Sequence, residues 1–506
     1  MRKYICLVLL CLIGFLTTSC NKEEIRTIKI YNWVDYIDET VLDEFVVYYK
    51  ELTGETISYV YDTFETNESM YNTVKTGKTD YDLICPSEYM IQKMIREDML
   101  ETFDLEKYNL DGYQKNASLY LQNLFKTNNL DMYAACYMWG TLGLIYNPQV
   151  LEETANGKEF DLNTWEVMNN PLFEGKVSLK DSVRDAYCVG SLLAHKNDLK
   201  QVAEKYTTNS SEYQQAVQEV INRTTPEAIN NVSDELRNLK QNIYGLEVDS
   251  GKGDIVTGKI AMNVAWSGDA VYSMDLAEEE DTYLEYIIPR EGGNVWFDGW
   301  VMPKGADKEL AQTFINFLSQ PEIAARNMEY IGYTSAIAGD AIFELIEDWY
   351  GITSYQTEIE ELKASLSELE GNALQEAKDQ IESLESELEE IVVVSQDLTY
   401  FFEGTLSSDK LTDGRVIVQI DESYINRQFS TQYPSQECLN RCGVMQDFGD
   451  KNEEVLEMWI NVKANKASPW LISSLILFVL LVVGFILYSK RSYFARIRRF
   501  KKYEKK

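Results

Sequence analysis

Histidine is almost absent: His195 is the single one in 506 residues. That scarcity all but removes histidine-dependent catalysis and multi-histidine metal sites. No nucleophile-elbow motif and no metal-ligand cluster stands out, so an exported enzyme is a poor reading. A phosphate-binding P-loop is missing too, so the chain cannot power transport by ATP hydrolysis. Cysteine is also sparse, at eight. Cys6, Cys11 and Cys20 fall at the N-terminus. Cys85, Cys136, Cys188, Cys438 and Cys442 are odd in number and scattered, which describes neither a disulfide framework nor a zinc site. Cys438 and Cys442 either pair, if that stretch is a loop, or stand as two free thiols. Positive charge is short as well: 47 basic residues face 82 acidic ones, a formal net charge of −35. This balance argues against nucleic acid. It suits cationic partners, or simply a soluble acidic surface. What is present is 45% hydrophobic residues, enough for a sizeable core, over a length that fits two or three domains.

Both ends point to a membrane. Arg2 and Lys3 precede an apolar run from Tyr4 to Leu16, too short to span and fit for a signal peptide. Leu16-Thr17-Thr18-Ser19-Cys20 followed by Asn21-Lys22-Glu23-Glu24 looks like a bacterial lipoprotein signal over residues 1–20, with Cys20 lipidated. Leu16 lies one position further from the cysteine than is usual; a plain cleaved signal is the alternative and exports the body equally. At the other end, residues 470–488 carry no charge, have Trp470 and Tyr488 at their rims, and precede a basic stretch. That pattern predicts a transmembrane helix with a cytoplasmic tail over 489–506. Lys490 to Lys506 holds nine basic residues and one acid, leaving −43 for the rest of the chain.

The body alternates strand and helix signals. Ile28 to Tyr31, Thr56 to Tyr61 and Tyr81 to Cys85 read as strands, separated by helices over Asp38 to Lys50 and onward from Asn67. The same grammar continues through short strands at Gly143 to Tyr146, Lys176 to Leu179, Ile260 to Trp266, Tyr286 to Pro289 and Trp300 to Pro303. Such alternation predicts a mostly parallel sheet covered by helices, an α/β fold. Residues 358–391 stand apart. Ile359, Leu362, Leu366 and Leu369, then Leu374, Ala377, Ile381, Leu384, Leu388 and Ile391, repeat at 3–4 spacing around Gly371-Asn372. They predict an inserted coiled-coil hairpin, or one kinked helix, serving docking, self-association or spacing.

Ligands of open α/β sheets bind beyond the carboxyl ends of strands. Trp33, Asp35 and Tyr36 follow the first strand, and Ser87, Glu88 and Tyr89 the third. Trp266 and Asp269 follow a later one; Trp296 and Asp298 precede Trp300. Rings and carboxylates recur together there, and no Lys or Arg recurs with them. An alkyl ammonium leaving water needs this pairing: a carboxylate as counter-charge and a π-face over its methylenes. Any one pair reads as readily as a packing anchor beside a turn former; three pairs beyond strand ends favour a shared site.

Tyr31-Asn32-Trp33-Val34-Asp35-Tyr36 resembles the start of bacterial spermidine/putrescine-binding proteins. So do Tyr81-Asp82-Leu83-Ile84 with Pro86-Ser87-Glu88-Tyr89, then Gly292 to Asp298, and Ile331-Gly332-Tyr333-Thr334. The four stand in the family's order over Ile28 to Ala336, with a weaker match up to Lys463. The resemblance implies a two-lobed periplasmic-binding-protein-like fold of type II, without catalysis, cofactor or metal. Lobe one would be 28–138 with 300–343, and lobe two 140–299 with 395–463, hinged at their crossings. It implies a cleft lined by Trp33, Asp35, Tyr36, Ser87, Tyr89, Trp266, Trp296, Asp298 and Tyr333. Asp185 matches an acidic position of the family, Ser182 replaces an aspartate of spermidine binders, and Asp269 resembles the putrescine-preferring branch. The implied partners are a polyamine, the permease subunits of an ABC importer, and the membrane through Cys20 and 470–488. A binder of another small amine or an amino acid, and a membrane-anchored sensor using the coiled coil, are the rival expectations.

Overall fold

The computed structural model describes residues 25–77, 80–367, 369–464, 477–488 and 490. The expected signal segment 1–20 and Cys20 lie outside the described residues. The chain divides into two compact units, one ending at Val455 and the other beginning at Leu456. In the second, residues 477–488 are helical. No helix among the described residues is long and apolar enough to cross a membrane. The expected span 470–488 is therefore not found among them; 470–476, like the tail beyond 490, lies outside the described residues.

Among the described residues of the first unit the strands are β1 (Thr27–Trp33), β2 (Ser58–Phe64), β3 (Leu83–Ile84), β4 (Leu100–Glu101), β5 (Ala134–Tyr146), β6 (Val177–Lys180) and β7 (Gly245–Glu247). They continue with β8 (Met262–Trp266), β9 (Glu285–Ile287), β10 (Val295–Pro303), β11 (Thr334–Ser335), β12 (Val393–Asp397) and β13 (Ile417–Asp421). The main sheet runs β2-β1-β3-β10-β5-β8-β6-β7. Two parallel triplets lie within it: β1 pairs β2 and β3, and β6 pairs β7 and β8. Between them, β5 and β10 run antiparallel to each other. β5 serves both halves. Its first part pairs β10 as far as Thr141, and Leu142 to Tyr146 pair β8 and β9. Every residue of β5 and β10 is buried, and apart from Thr141 and Asp298 the two strands hold only apolar residues and glycine, as suits strands covered on both faces. This is a two-lobed α/β architecture in which one long strand pair ties the parallel halves together.

Helices start directly beyond the strand ends. Glu88–Arg96 begins after β3, Val183–Ala194 after β6 and Ser267–Glu278 at the last residue of β8. The hydroxyl of Ser182 caps the second by accepting from the Asp185 amide. Outside this core, helices Thr353–Ser365 and Gly371–Glu390 pack side by side. Ile359, Ala377 and Ile381 are buried, and Lys363 pairs with Glu385 at 2.6 Å. β12 and β13 form a separate antiparallel hairpin. The five described cysteines are all free; the Cys442 thiol donates to the Cys438 carbonyl at 3.4 Å.

Candidate functional site

β1 delivers Trp33, and the chain then turns sharply. Asp35 sits in this turn at φ 52°, a left-handed conformation that aspartate tolerates better than most residues. Its side chain is exposed, while Tyr36 turns back into the core. The amide of Asn32 fixes that return by donating to the Tyr36 carbonyl at 3.1 Å. Tyr36 then donates its hydroxyl to Asp298 at 2.7 Å, and Ser87 donates to the other carboxylate oxygen at 2.6 Å. Ser87 is itself held by Asn67, which gives one hydrogen bond to its hydroxyl and takes one from its amide. The β10–β5 register shifts between Asp298 and Gly299, a bulge that re-aims the strand at this point.

Asp298 is 7% exposed. Its hydrogen-bond donors are neutral hydroxyls, and no ion pair to it forms among the described residues. Burial pushes this carboxyl up to about 6, against the pull of Ser87 and Tyr36. Its neighbour Glu88 is raised to about 8 by burial, so it holds a proton at neutral pH. Burial also lifts the Tyr36 phenol, with Asp298 adding to the effect, and this keeps it a donor. A buried carboxylate with hydroxyl partners but no cation has an unmet demand for positive charge.

An aromatic chain connects Asp298 to a second acid. Tyr36 meets Tyr333 edge to face at 5.7 Å, and Tyr333 lies 5.6 Å from the Trp296 ring. The Tyr333 hydroxyl donates to Asp269 at 2.9 Å, and the Trp296 indole donates to the Thr141 carbonyl at 3.2 Å. Two glycines permit this packing. A Cβ at Gly268 would stand 2.2 Å from the Tyr333 ring, and one at Gly140 2.6 Å from Trp296. Trp33 packs on Phe64 at 4.6 Å, and its buried indole N–H has no protein partner. Asp185, buried, is raised by desolvation against the donors Ser182 and Trp266.

The expected residues thus fall into groups. Tyr36, Ser87, Asp298, Trp296, Tyr333 and Asp269 form one connected network, and Trp266 touches Asp185. Tyr89 is covered differently: Arg184 stacks on its ring at 4.2 Å and on Phe448 at 4.5 Å. Asp35 joins none of these contacts. The expectation that no basic residue accompanies the acids is corrected. Lys180, the last residue of β6, places its ammonium 3.1 Å from Asp269 and 4.7 Å from the Trp266 ring centroid. It also stands 3.2 Å from Glu247, an ion pair without hydrogen-bond alignment. Lys180 lies at a strand end, as Trp33 does, but a lysine at such a place reads as solvent-facing. Glu247 comes from β7, too short a strand to carry a periodic signal.

Comparison with known proteins agrees with this architecture. The spermidine/putrescine-binding periplasmic protein of Salmonella typhimurium is 29% identical over 322 residues, covering 62% of this chain and 79% of that protein. The putrescine-binding periplasmic protein SpuD of Pseudomonas aeruginosa is 27% identical over 358 residues, covering 68% and 88% respectively. In fold, the chain is similar to the solved spermidine/putrescine ABC transporter substrate-binding protein PotD of Streptococcus pneumoniae. That match has a TM-score of 0.53 at 24% identity and covers 87% of this chain and 98% of the other. The family model for bacterial extracellular solute-binding proteins matches residues 44–341, more than half of the sequence. The chain belongs to the bacterial extracellular solute-binding proteins.

Proposed function

We propose that this protein is the extracytoplasmic substrate-binding component of a polyamine ABC importer, capturing putrescine or spermidine between its lobes and presenting it to permease subunits. The observation that carries the reading is Asp298: a buried carboxylate, raised toward 6, donated to by the hydroxyls of Tyr36 and Ser87 and by no cation among the described residues, beside the rings of Tyr36, Tyr333 and Trp296. A primary ammonium supplies the missing charge, and the rings cover its methylenes. An amino acid would also need a cation for its carboxylate. Lys180 is already paired with Asp269 and Glu247, and Arg184 donates to the Gln446 carbonyl between two aromatic faces, so both are poor candidates.

The lobes would close over the ligand, with Tyr333 on Asp269 and Arg184 on Tyr89 as contacts broken on opening. Membrane attachment through Cys20 and through 470–488 is proposed on sequence pattern, and the paired helices 353–390 are proposed as a docking or spacing element. Titration calorimetry of the soluble body with putrescine, spermidine and a panel of amino acids tests the reading. Saturable heat with the amines and none with the amino acids supports it; the reverse pattern refutes it.

A further inference from the structure

The two acids of the network are not equivalent. Asp298 meets neutral hydroxyls, whereas Asp269 is already matched by a lysine. Lys180 is 1% exposed and enters from the end of β6. Its ammonium touches Asp269 at 3.1 Å, the Val248 carbonyl at 2.9 Å and Glu247 at 3.2 Å, with the Trp266 face 4.7 Å away. Two carboxylates, a carbonyl and an indole face make the set of contacts that a buried alkyl ammonium requires. Here the chain's own side chain uses them. Lys252 approaches Asp269 from the solvent side at 3.9 Å and is itself paired with Asp249 at 2.6 Å. Lys180 and Arg184 are also the cations that act on Asp185.

We propose that Lys180 is a resident counter-ion that sets specificity: it satisfies the Asp269 end of the cleft, so the ligand contributes one buried ammonium, at Asp298. A second ligand ammonium at Asp269 would meet the Lys180 ammonium around a shared carboxylate, and like charges at that range repel in a water-poor site. The inference rests on the amine-binding reading and narrows it. Putrescine or spermidine would then be held through one buried ammonium, with the rest of the chain passing Tyr333 and Trp296. A second charged nitrogen adds little.

The test compares putrescine with n-butylamine, which keeps the four-carbon chain and drops one ammonium, by calorimetry on the soluble body. The quantity read is the ratio of their affinities. In the wild type the two should agree within about tenfold. Lys180→Met and Lys180→Gln free Asp269 and Glu247, and should raise the putrescine-to-butylamine ratio by about 10–100-fold, the worth of one charge-assisted hydrogen bond. Lys180→Arg keeps the positive charge and should keep the wild-type ratio. Thermal melting reports which variants fold. If Lys180→Met does not, Lys180→Gln and Lys180→Arg carry the comparison. A wild type that prefers putrescine by 100-fold or more, with the ratio unmoved in the neutral variants, overturns the inference and leaves polyamine binding standing. A wild type that binds neither amine overturns both.

Discussion

Asp298→Asn should make the ligand-free protein more stable at neutral pH while it abolishes tight amine binding. Burial raises this carboxyl from 3.8 to about 6. At 1.36 kcal/mol for each pH unit, holding it ionised at pH 7.5 costs the fold about 3 kcal/mol. Asparagine has a similar shape and no charge. Its amide oxygen can accept from one of Tyr36 and Ser87, and its nitrogen can donate to the hydroxyl oxygen of the other. The gain is therefore at most about 3 kcal/mol, or about 3 °C in melting temperature for a body of this size. The sign with pH follows from linkage. The folded pKa lies above the unfolded one, so the wild-type penalty is complete above about 6 and fades as pH falls toward 3.8. The variant's advantage should be complete at pH 7.5 and cut to about a third, about 1 kcal/mol, at pH 4.5. Melting curves of both proteins without ligand, at those two pH values, measure it. A variant that melts no higher than wild type at pH 7.5 refutes the reasoning, and so does an advantage that does not shrink in acid.

Further outcomes follow from the same contacts. Putrescine affinity should fall about tenfold per pH unit below 6, because the ammonium must displace a proton from Asp298; a flat profile between pH 7 and 5 would place the cation elsewhere. Gly268→Ala puts a methyl into the Tyr333 ring. It should cost about 1–3 kcal/mol in stability, read by urea unfolding, and weaken amine binding at the same time. Tyr36→Phe removes one of the two donors to Asp298. It should raise that carboxyl further and shift the midpoint of the binding-versus-pH curve upward, whereas an unmoved midpoint would deny the hydrogen bond a role.

The fold was legible where periodicity was strong. The strands read at Ile28 to Tyr31 and Ile260 to Trp266 correspond to β1 (Thr27–Trp33) and β8 (Met262–Trp266). The long tie β5 (Ala134–Tyr146) was seen only at its end, since its first half mixes Ala, Cys, Gly and Thr with aromatics and shows no alternation. Of the site residues, Tyr36 and Ser87 announced themselves as polar groups beside strand ends, and Asp298 as an acid next to tryptophans, although β10 starts at Val295 and takes it in rather than starting at Trp300. Their convergence depends on pairing β3 with β10, residues more than 200 positions apart, which no local pattern encodes. Lys180 was hidden for a different reason. A lysine at a strand end reads as solvent-facing, and its burial only makes sense once Glu247 and Asp269 are known to surround it. Asp35 stands apart: this acid beside a tryptophan occupies the turn after β1 and is exposed.

Calorimetric titration of putrescine into wild type and Asp298→Asn at pH 7.5 tests the central claim most directly. Removing the buried partner of a ligand ammonium should cost about 3 kcal/mol, a loss of about 10²-fold in affinity with the fold intact by melting. Equal affinities in the two proteins would mean that the ligand's charge is met somewhere other than Asp298.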